Sequence, residues 1–252
     1  MNTQSRHEDI LDQLRRDGRV DVAALAEGFE TSQITVRRDL EHLAAAGVLR
    51  RVRGGAVSLM IRGEGLPFAM RAIEAGGAKE HMATAVGDLV TDGEAVVVDS
   101  GTSGLAVARR LASRRLTVMP LSVQGIAALA GSSSVSLLLP GGRVRADEGS
   151  IVGPLAESSL RALRFDTAVL TCCGFSVDDG VTAYDLEDAS VKQVMVGAAR
   201  RTILVAEGAK FARTAMAVVC AASAVDILVT DDQAPEDDVA RLRSAGMEVI
   251  RA

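Results

Sequence analysis

From residue 95 onward the sequence repeats one pattern: a short, continuous run of apolar and β-branched residues, then a longer stretch rich in Ala and Leu. The runs fall at 95–99, 116–119, 135–139, 167–170, 202–206 and 227–230. A strand that is apolar at consecutive positions has no wet face, so it belongs in a sheet covered on both sides. Strands of that kind alternating with helices form a mainly parallel sheet between two helical layers, an α/β architecture. Such sheets take ligands at the carboxyl ends of their strands. The alternation thus sets the fold class of most of the chain and says where a site is to be sought. No internal repeat or low-complexity tract interrupts it.

Residues 1–57 follow a helical period instead. "SRHEDILDQLRRDG" spaces Ile10, Leu11 and Leu14 for one buried face and stops at Gly18. In "VDVAALAEGF", Val22, Leu25, Ala26 and Phe29 share a face, with Asp21 as the expected N-cap. A short turn, "ETS", lets Ser32 cap a third helix predicted over 33–46, with Ile34, Leu40 and Leu43 inward and Gln33, Thr35, Arg37 and Arg38 outward. "VLRRVRGGAVSL" then reads as two short strands hinged on Gly54 and Gly55. Three short helices and a small hairpin make a winged helix-turn-helix. Its third helix suits a DNA major groove, with Ser32, Gln33 and Thr35 at the reading end. Arg37 and Arg38 on that helix, and Arg50, Arg51 and Arg53 on the wing, suit base edges and phosphates.

Charge supports that placement. The chain of 252 residues carries a formal net charge of −5, yet residues 33–57 hold five Arg against two acids. The basic cluster is local, so its position matters more than the overall balance. Aromatic content of 2% with no Trp argues against stacking on single-stranded bases, and leaves double-stranded DNA as the expected partner. No run of 18 apolar residues appears, and "MNTQSRHEDILDQL" lacks the character of a secretory signal, so a cytoplasmic protein without a membrane partner is expected. Residues 58–78 are Gly-rich, with a short helical piece at 68–73, and read as a linker to the α/β domain at 79–252.

Within the α/β part, "DSGTSG" follows the first apolar run and opens a helix. Small residues there let a phosphate approach the backbone amides and the hydroxyls of Ser100, Thr102 and Ser103. A glycine turn, "PGGRV", with Gly141 and Gly142, follows another strand, and Lys210 in "VAEGAKF" follows a third. Together they point to an anion pocket for a phosphorylated ligand. "GVTAYDLEDASVK" places Asp185, Glu187 and Lys192 at a helix start. These are either ordinary helix-end charges or acceptors for sugar hydroxyls. Cys172, Cys173 and Cys220 make neither a disulfide framework nor a zinc site, and are expected to be small buried hydrophobes. All three histidines lie at or before residue 81, which leaves no nucleophilic triad. No catalytic residue, metal or cofactor is expected.

The stretch "LAEGFETSQITVRRDLEHLAAAGVLRRVRGGA" resembles the winged helix of the DeoR family, and "VVVDSGTS", "LTVMPLS", "LLLPGGRV", "IVGPLAE", "FDTAVLTCCGF", "GVTAYDLEDASVK", "AEGAKF" and "ILVTDD" follow in the order of that family's sugar-phosphate sensor. The resemblance implies a bacterial transcription regulator, usually a repressor of carbohydrate metabolism, whose sensor is similar in fold to ribose-5-phosphate isomerase but serves binding. It also implies a phosphorylated sugar or polyol as effector, held by Asp99, Ser100, Gly101, Thr102, Ser103, Ser122, Gly141, Gly142, Asp185, Glu187, Lys192 and Lys210. Three places depart from the family pattern: Arg53 stands for a wing His, Pro120-Leu121-Ser122 for Thr-Asn-Ser, and Glu207-Gly208-Ala209-Lys210 for Asp-Ser-Ser-Lys. The alternative is a sugar-phosphate isomerase or deaminase with Asp99, Asp185 or Glu187 as base; the fused helix-turn-helix argues against it. One winged helix covers only a short half-site, so a homodimer or homotetramer is expected.

Overall fold

The computed structural model describes residues 3–45, 47, 49–58, 68, 71, 76–211 and 213–252. The chain divides into two compact units, Met1–Glu74 and Ala75–Ala252. Most of the stretch expected to be a linker, and of the helical piece within it, lies outside the described residues.

In the first unit, helix α1 (Thr3–Asp17) ends at Gly18, which takes a positive φ of 70°. A short strand β1 (Arg19–Asp21) leads to α2 (Val22–Gly28), capped as expected by Asp21, which accepts from the amides of Ala23 and Ala24 at 2.8 and 3.1 Å. Helix α3 (Gln33–Ala45) begins at Ser32, whose hydroxyl accepts from the Thr35 amide at 3.1 Å. The wing follows as β2 (Leu49–Val52) and β3 (Gly55–Ser58), with Gly54 at φ 82° in the turn. Strand β1 pairs antiparallel with β3, giving the sheet order β1-β3-β2. β1 was not anticipated, although Gly55 hinted at it. A Cβ there would lie 2.0 Å from the Val20 carbonyl oxygen, so only glycine admits the third strand.

One expected core residue is corrected. Ile34 is 63% exposed, and Val36 is buried in its place beside Leu40 and Leu43. At 100° per residue, Ile34 stands about 200° round the helix from Val36, on the opposite side. The buried stripe also contains Asp39, which binds Arg6 of α1 through two hydrogen bonds of 2.7 and 3.1 Å. His7 Nε2 reaches the same carboxylate at 3.1 Å and stacks on His42 of α3.

The second unit opens with α4 (Gly76–Leu89), which starts inside the expected linker. Then come β4 (Ala95–Val98), α5 (Gly101–Leu111), β5 (Thr117–Pro120), α6 (Val123–Leu129) and β6 (Ser136–Leu137). A small antiparallel pair, β7 (Arg143–Val144) and β8 (Ile151–Val152), precedes α7 (Pro154–Arg161) and β9 (Phe165–Thr171). Strands β10 (Gly174–Ser176) and β11 (Gly180–Ala183) lead to α8 (Leu186–Gly197) and β12 (Ala199–Val205). The chain ends with β13 (Ala217–Cys220), β14 (Ile227–Thr230), α9 (Glu236–Ser244) and β15 (Glu248–Arg251).

The main sheet has seven strands in the order β15-β14-β12-β9-β4-β5-β6, and each neighbouring pair is parallel. Its two faces are apolar in alternation. Val97, Ala168, Leu170 and Leu204 pack with α7, α8 and α9, while Val96, Val98, Val169 and Ile203 pack with α4, α5 and α6. Both faces are therefore dry, as the continuous apolar runs require. β10, β11 and β13 form a separate antiparallel sheet. From β4 the chain winds outward to β5 and β6; from β9 it winds the other way, so β4 and β9 flank the topological switch point. Among the described residues, no helix is long and apolar enough to cross a membrane.

The Arg6–Asp39 pair yields a test. Burial works against the Asp39 charge, but the hydrogen bonds from Arg6 and His7 outweigh it and hold the carboxyl below its ordinary value. Asp39→Ala leaves a buried guanidinium without its counter-charge, at a cost of about 3–5 kcal/mol. Thermal unfolding followed by far-UV dichroism at pH 7 should show early loss of helix. A depressed carboxyl contributes stability above its unfolded value of about 3.9, so the gap to the parent should close as the pH falls below that point.

Candidate functional site

Two regions carry the residues singled out from sequence. On α3, Gln33, Arg37 and Arg38 are exposed, and Arg37 donates to Gln33 Oε1 at 3.3 Å. Ser32 and Thr35 bond each other at 2.9 Å as the helix cap, which fixes the first turn. Arg50, Arg51 and Arg53 are exposed on the wing. Arg51 is paired with Glu41 of α3, a link that ties wing to helix and partly neutralises Arg51. The helix therefore presents guanidinium groups on its outward side, with a polar amide at its start. That suits a major groove.

In the second unit the polar residues meet at the switch point. Asp99, directly after β4, is 2% exposed. Its Oδ2 accepts from the Thr171 amide and hydroxyl, each at 2.9 Å, and from Lys192, while Oδ1 accepts from the Ser100 amide at 2.7 Å. Lys192 reaches inward from α8 and also faces Asp188 at 3.4 Å. Burial alone would push this ammonium down, but Asp188 and Asp99 outweigh it and hold it above its ordinary value. Burial pushes the Asp188 carboxyl up, against the pull of Lys192. Lys192 and Asp99 are thus committed to each other. They form a frame under the site, with their polar atoms already engaged.

On that frame rests the start of α5. Ser100 precedes the helix in extended backbone with no side-chain cap bond, and Gly101 takes φ 86°. The first-turn amides of a helix have no partner within it, and the helix dipole favours an anion there. A Cβ on Gly104 would lie 2.1 Å from the Asp99 carbonyl oxygen, so glycine is what lets α5 descend onto the end of β4. Thr102 is buried and Ser103 half-buried in this first turn. Lys210 stands half-buried in a short 3-10 turn, Gly208–Lys210, after β12, and its charge is felt at Cys172, next to the end of β9.

Other expected ligand groups are turned to internal work. Gly141 donates its amide to Ser159 Oγ at 3.1 Å, and a Cβ on Gly142 would lie 2.8 Å from the Val152 carbonyl oxygen. That turn is packed against α7, so the Gly141 amide is held by the protein. Ser122 is buried and caps α6 through the Gly125 amide at 3.1 Å. Asp185 caps α8 through the Asp188 amide at 2.8 Å and lies 3.7 Å from Arg145; Glu187 is paired with Arg143. The helix-end reading of Asp185 describes what the structure shows there. Cys172, Cys173 and Cys220 pack against the hydrophobic core, and burial pushes the Cys172 thiol up to about 12 and that of Cys220 up to about 11.

The departures noted in the sequence have local causes. Pro120 and Leu121 are buried, and Leu121 joins the core, so that corner is apolar. Glu207 pairs with the buried Lys79 of α4 at 3.4 Å. Gly208 lets the 233–234 backbone approach, where a Cβ would meet the Gln233 carbonyl carbon at 2.2 Å. Sequence reasoning missed Thr171, Asp188 and Lys79. Thr171 had a signal, since it follows the apolar run at 167–170 and so ends a strand at the switch point. Among the described residues, no group of three or more His, Cys, Asp or Glu side chains could hold a metal ion.

A winged helix with an outward basic face, on the same chain as a doubly wound α/β unit with a polar switch point, is the architecture of a DNA-binding regulator with a sensor domain. Residues 6–62 match the DeoR-like helix-turn-helix domain and residues 74–232 the DeoR C terminal sensor domain. The chain belongs to the DeoR family of transcriptional regulators, and acts as a DNA-binding regulator rather than an enzyme. It is 34% identical to the transcriptional repressor AccR of Agrobacterium fabrum over 91% of this chain and 90% of that protein. It is 30% identical to a putative aga operon transcriptional repressor of Escherichia coli O157:H7, over 98% and 93%. The glycerol-3-phosphate regulon repressor of Escherichia coli K12 is 28% identical over 93% of each. Among solved structures, a probable sor operon regulator from Shigella flexneri aligns with a TM-score of 0.42 at 13% identity, over 64% of this chain and 87% of that one. Ribose 5-phosphate isomerase A from Methanocaldococcus jannaschii aligns at 0.41 and 12%, over 54% of each.

The frame predicts its own pH dependence. Lys192→Met leaves the buried Asp99 beside the half-buried Asp188 without a cation, costing about 3–5 kcal/mol at neutral pH. A carboxyl whose folded value is raised stabilises the fold only while protonated. The variant should therefore weaken as the pH rises, and more steeply than the parent, where Asp188 is raised too but keeps the opposing pull of Lys192. Urea titrations at pH 5 and pH 8 read the difference directly.

Proposed function

We propose that this regulator represses a carbohydrate-metabolism operon, and that a phosphorylated sugar or polyol bound in the sensor sets its affinity for operator DNA. The observation that carries the reading is the start of α5, where Ser100, Gly101, Thr102 and Ser103 meet the switch point beside β9. A phosphate there gains charge-assisted hydrogen bonds from first-turn amides and hydroxyls, and Lys210 supplies a cation from the end of β12, on the far side of β9. Gly142 and Ser122 do structural work at the margin of this site, and Asp185 and Glu187, already engaged as the α8 cap and as the partner of Arg143, offer their remaining carboxylate lone pairs to sugar hydroxyls. Relatives named as aga operon and glycerol-3-phosphate regulon repressors support the carbohydrate class.

On the DNA side, Gln33, Arg37 and Arg38 read base edges, with the first turn held by Ser32 and Thr35. Arg50, Arg51 and Arg53 neutralise phosphates. Two copies, as a homodimer or within a homotetramer, engage two half-sites. The working compartment is the cytoplasm, where a bacterial regulator meets its operator. The effector acts by preferring one of two arrangements of the regulator, and a coupling of about 1–3 kcal/mol is typical.

Two experiments test this. Arg37→Ala/Arg38→Ala should abolish the specific shift of an operator duplex in moderate salt while leaving the far-UV spectrum intact, since each bidentate arginine–base contact contributes about 1–3 kcal/mol; an unchanged shift refutes the recognition helix. For the sensor, calorimetry with a broad panel of sugar and polyol phosphates should find a ligand whose unphosphorylated form binds at least tenfold more weakly. Thr102→Val and Lys210→Ala should each remove the response to that ligand without altering DNA affinity. Equal binding of the free sugar would refute the anion pocket.

A further inference from the structure

We infer that Ile34 is a base-reading residue that recognises the C5-methyl group of thymine in the operator, an inference that rests on the operator-binding reading above. Ile34 is 63% exposed, whereas Val36, Leu40 and Leu43 of the same helix are fully buried. Among the described residues of the N-terminal unit, the exposed large apolar side chains are Ile34 and Val52, on α3 and on the wing. A single apolar side chain on a protein surface is ordinary. This one stands where the surface meets DNA.

Positions three and four apart share a helix face, so Ile34 lies one turn ahead of Arg37 and Arg38 on the same outward stripe. It sits in the first turn of α3, and it is the first-turn residues of a recognition helix that reach base edges. The Ser32–Thr35 bond fixes that turn from below, and the Gln33–Arg37 bond fixes its flank. The major-groove edge of a base pair offers donors, acceptors and a single kind of apolar group, the thymine methyl. Against a G·C edge, isoleucine would cover a donor or acceptor and give nothing back. Against thymine it removes two apolar surfaces from water. β-Branching already restricts its rotamers within a helix, so little freedom is lost on contact.

The operator can be obtained with the full-length protein, by selection from a pool of randomised duplexes. Each thymine of the selected duplex is then replaced singly by uracil, which pairs identically but lacks the methyl. Affinity is read by fluorescence anisotropy for the parent and for Ile34→Ala, a change at an exposed position whose fold is checked by far-UV dichroism. For the parent, one thymine per half-site should stand out, with about fourfold weaker binding on loss of its methyl. For Ile34→Ala, that same substitution should have no further effect. The inference is overturned if uracil is tolerated at every position, or if parent and variant lose affinity equally at each. Failure to select any duplex would overturn the operator-binding reading itself.

Discussion

Lys192 carries a charge into a region that water does not reach, and two carboxylates make that tolerable. Asp99 comes from the end of β4, Asp188 from the first turns of α8, and Thr171 from the end of β9 adds its carbonyl and hydroxyl at the margin. The two central strands and one covering helix are thereby held in register at their carboxyl ends. Apolar packing alone would bring these elements together, but it is not directional. The ion pair is, since removing either partner strands the other in a medium that cannot solvate it. The start of α5, the turn bearing Lys210 and the β7–β8 hairpin are all built outward from this point.

The N-terminal unit solves a similar problem at smaller scale. Asp39 follows Arg37 and Arg38 directly, yet it points the other way, into Arg6 and His7 of α1. One short segment therefore divides its charges, two outward and one inward. The inward charge sets the roll of α3 about its axis, and the roll decides which residues face outward. The same rotation that hides Val36 and Leu40 brings out Ile34.

The alternation of apolar runs and helices located the main sheet, and five of its strands shifted by only a few residues at their ends. Ile227–Thr230 was read without change. The expected helix caps, Asp21 and Ser32, also hold. What escaped was whatever depends on partners distant in sequence. Ile34 was placed inward because apolar residues usually bury, although its spacing to Leu40 and Leu43 does not suit one face. Asp39 was not singled out, and Lys192 was read as a helix-end charge or an effector ligand, because nothing local names the counter-ions at residues 6 and 99. Strands β10, β11 and β13 are short and make their own sheet, and β1 is only three residues long, so neither leaves a periodic trace. Gly141 and Gly142 looked like a second phosphate turn, and the Ser159 contact that occupies the first of them comes from a different helix.

The internal satisfaction of the Asp99–Lys192 frame has a practical side for anyone wishing to turn this regulator into a biosensor. Since the frame's donors and acceptors are already matched within the protein, the ground beneath the proposed effector site does not depend on which ligand lies above it. Val123, 44% exposed at the start of α6, and Ala209, exposed after β12, lie outside the frame, just past the ends of β5 and β12. A library randomised at such strand-end positions, with residues 99, 104, 171 and 192 left untouched, would probe the proposed ligand site while keeping the buried scaffold intact. Diversity is best spent at those positions, and the buried charges are the part to leave alone.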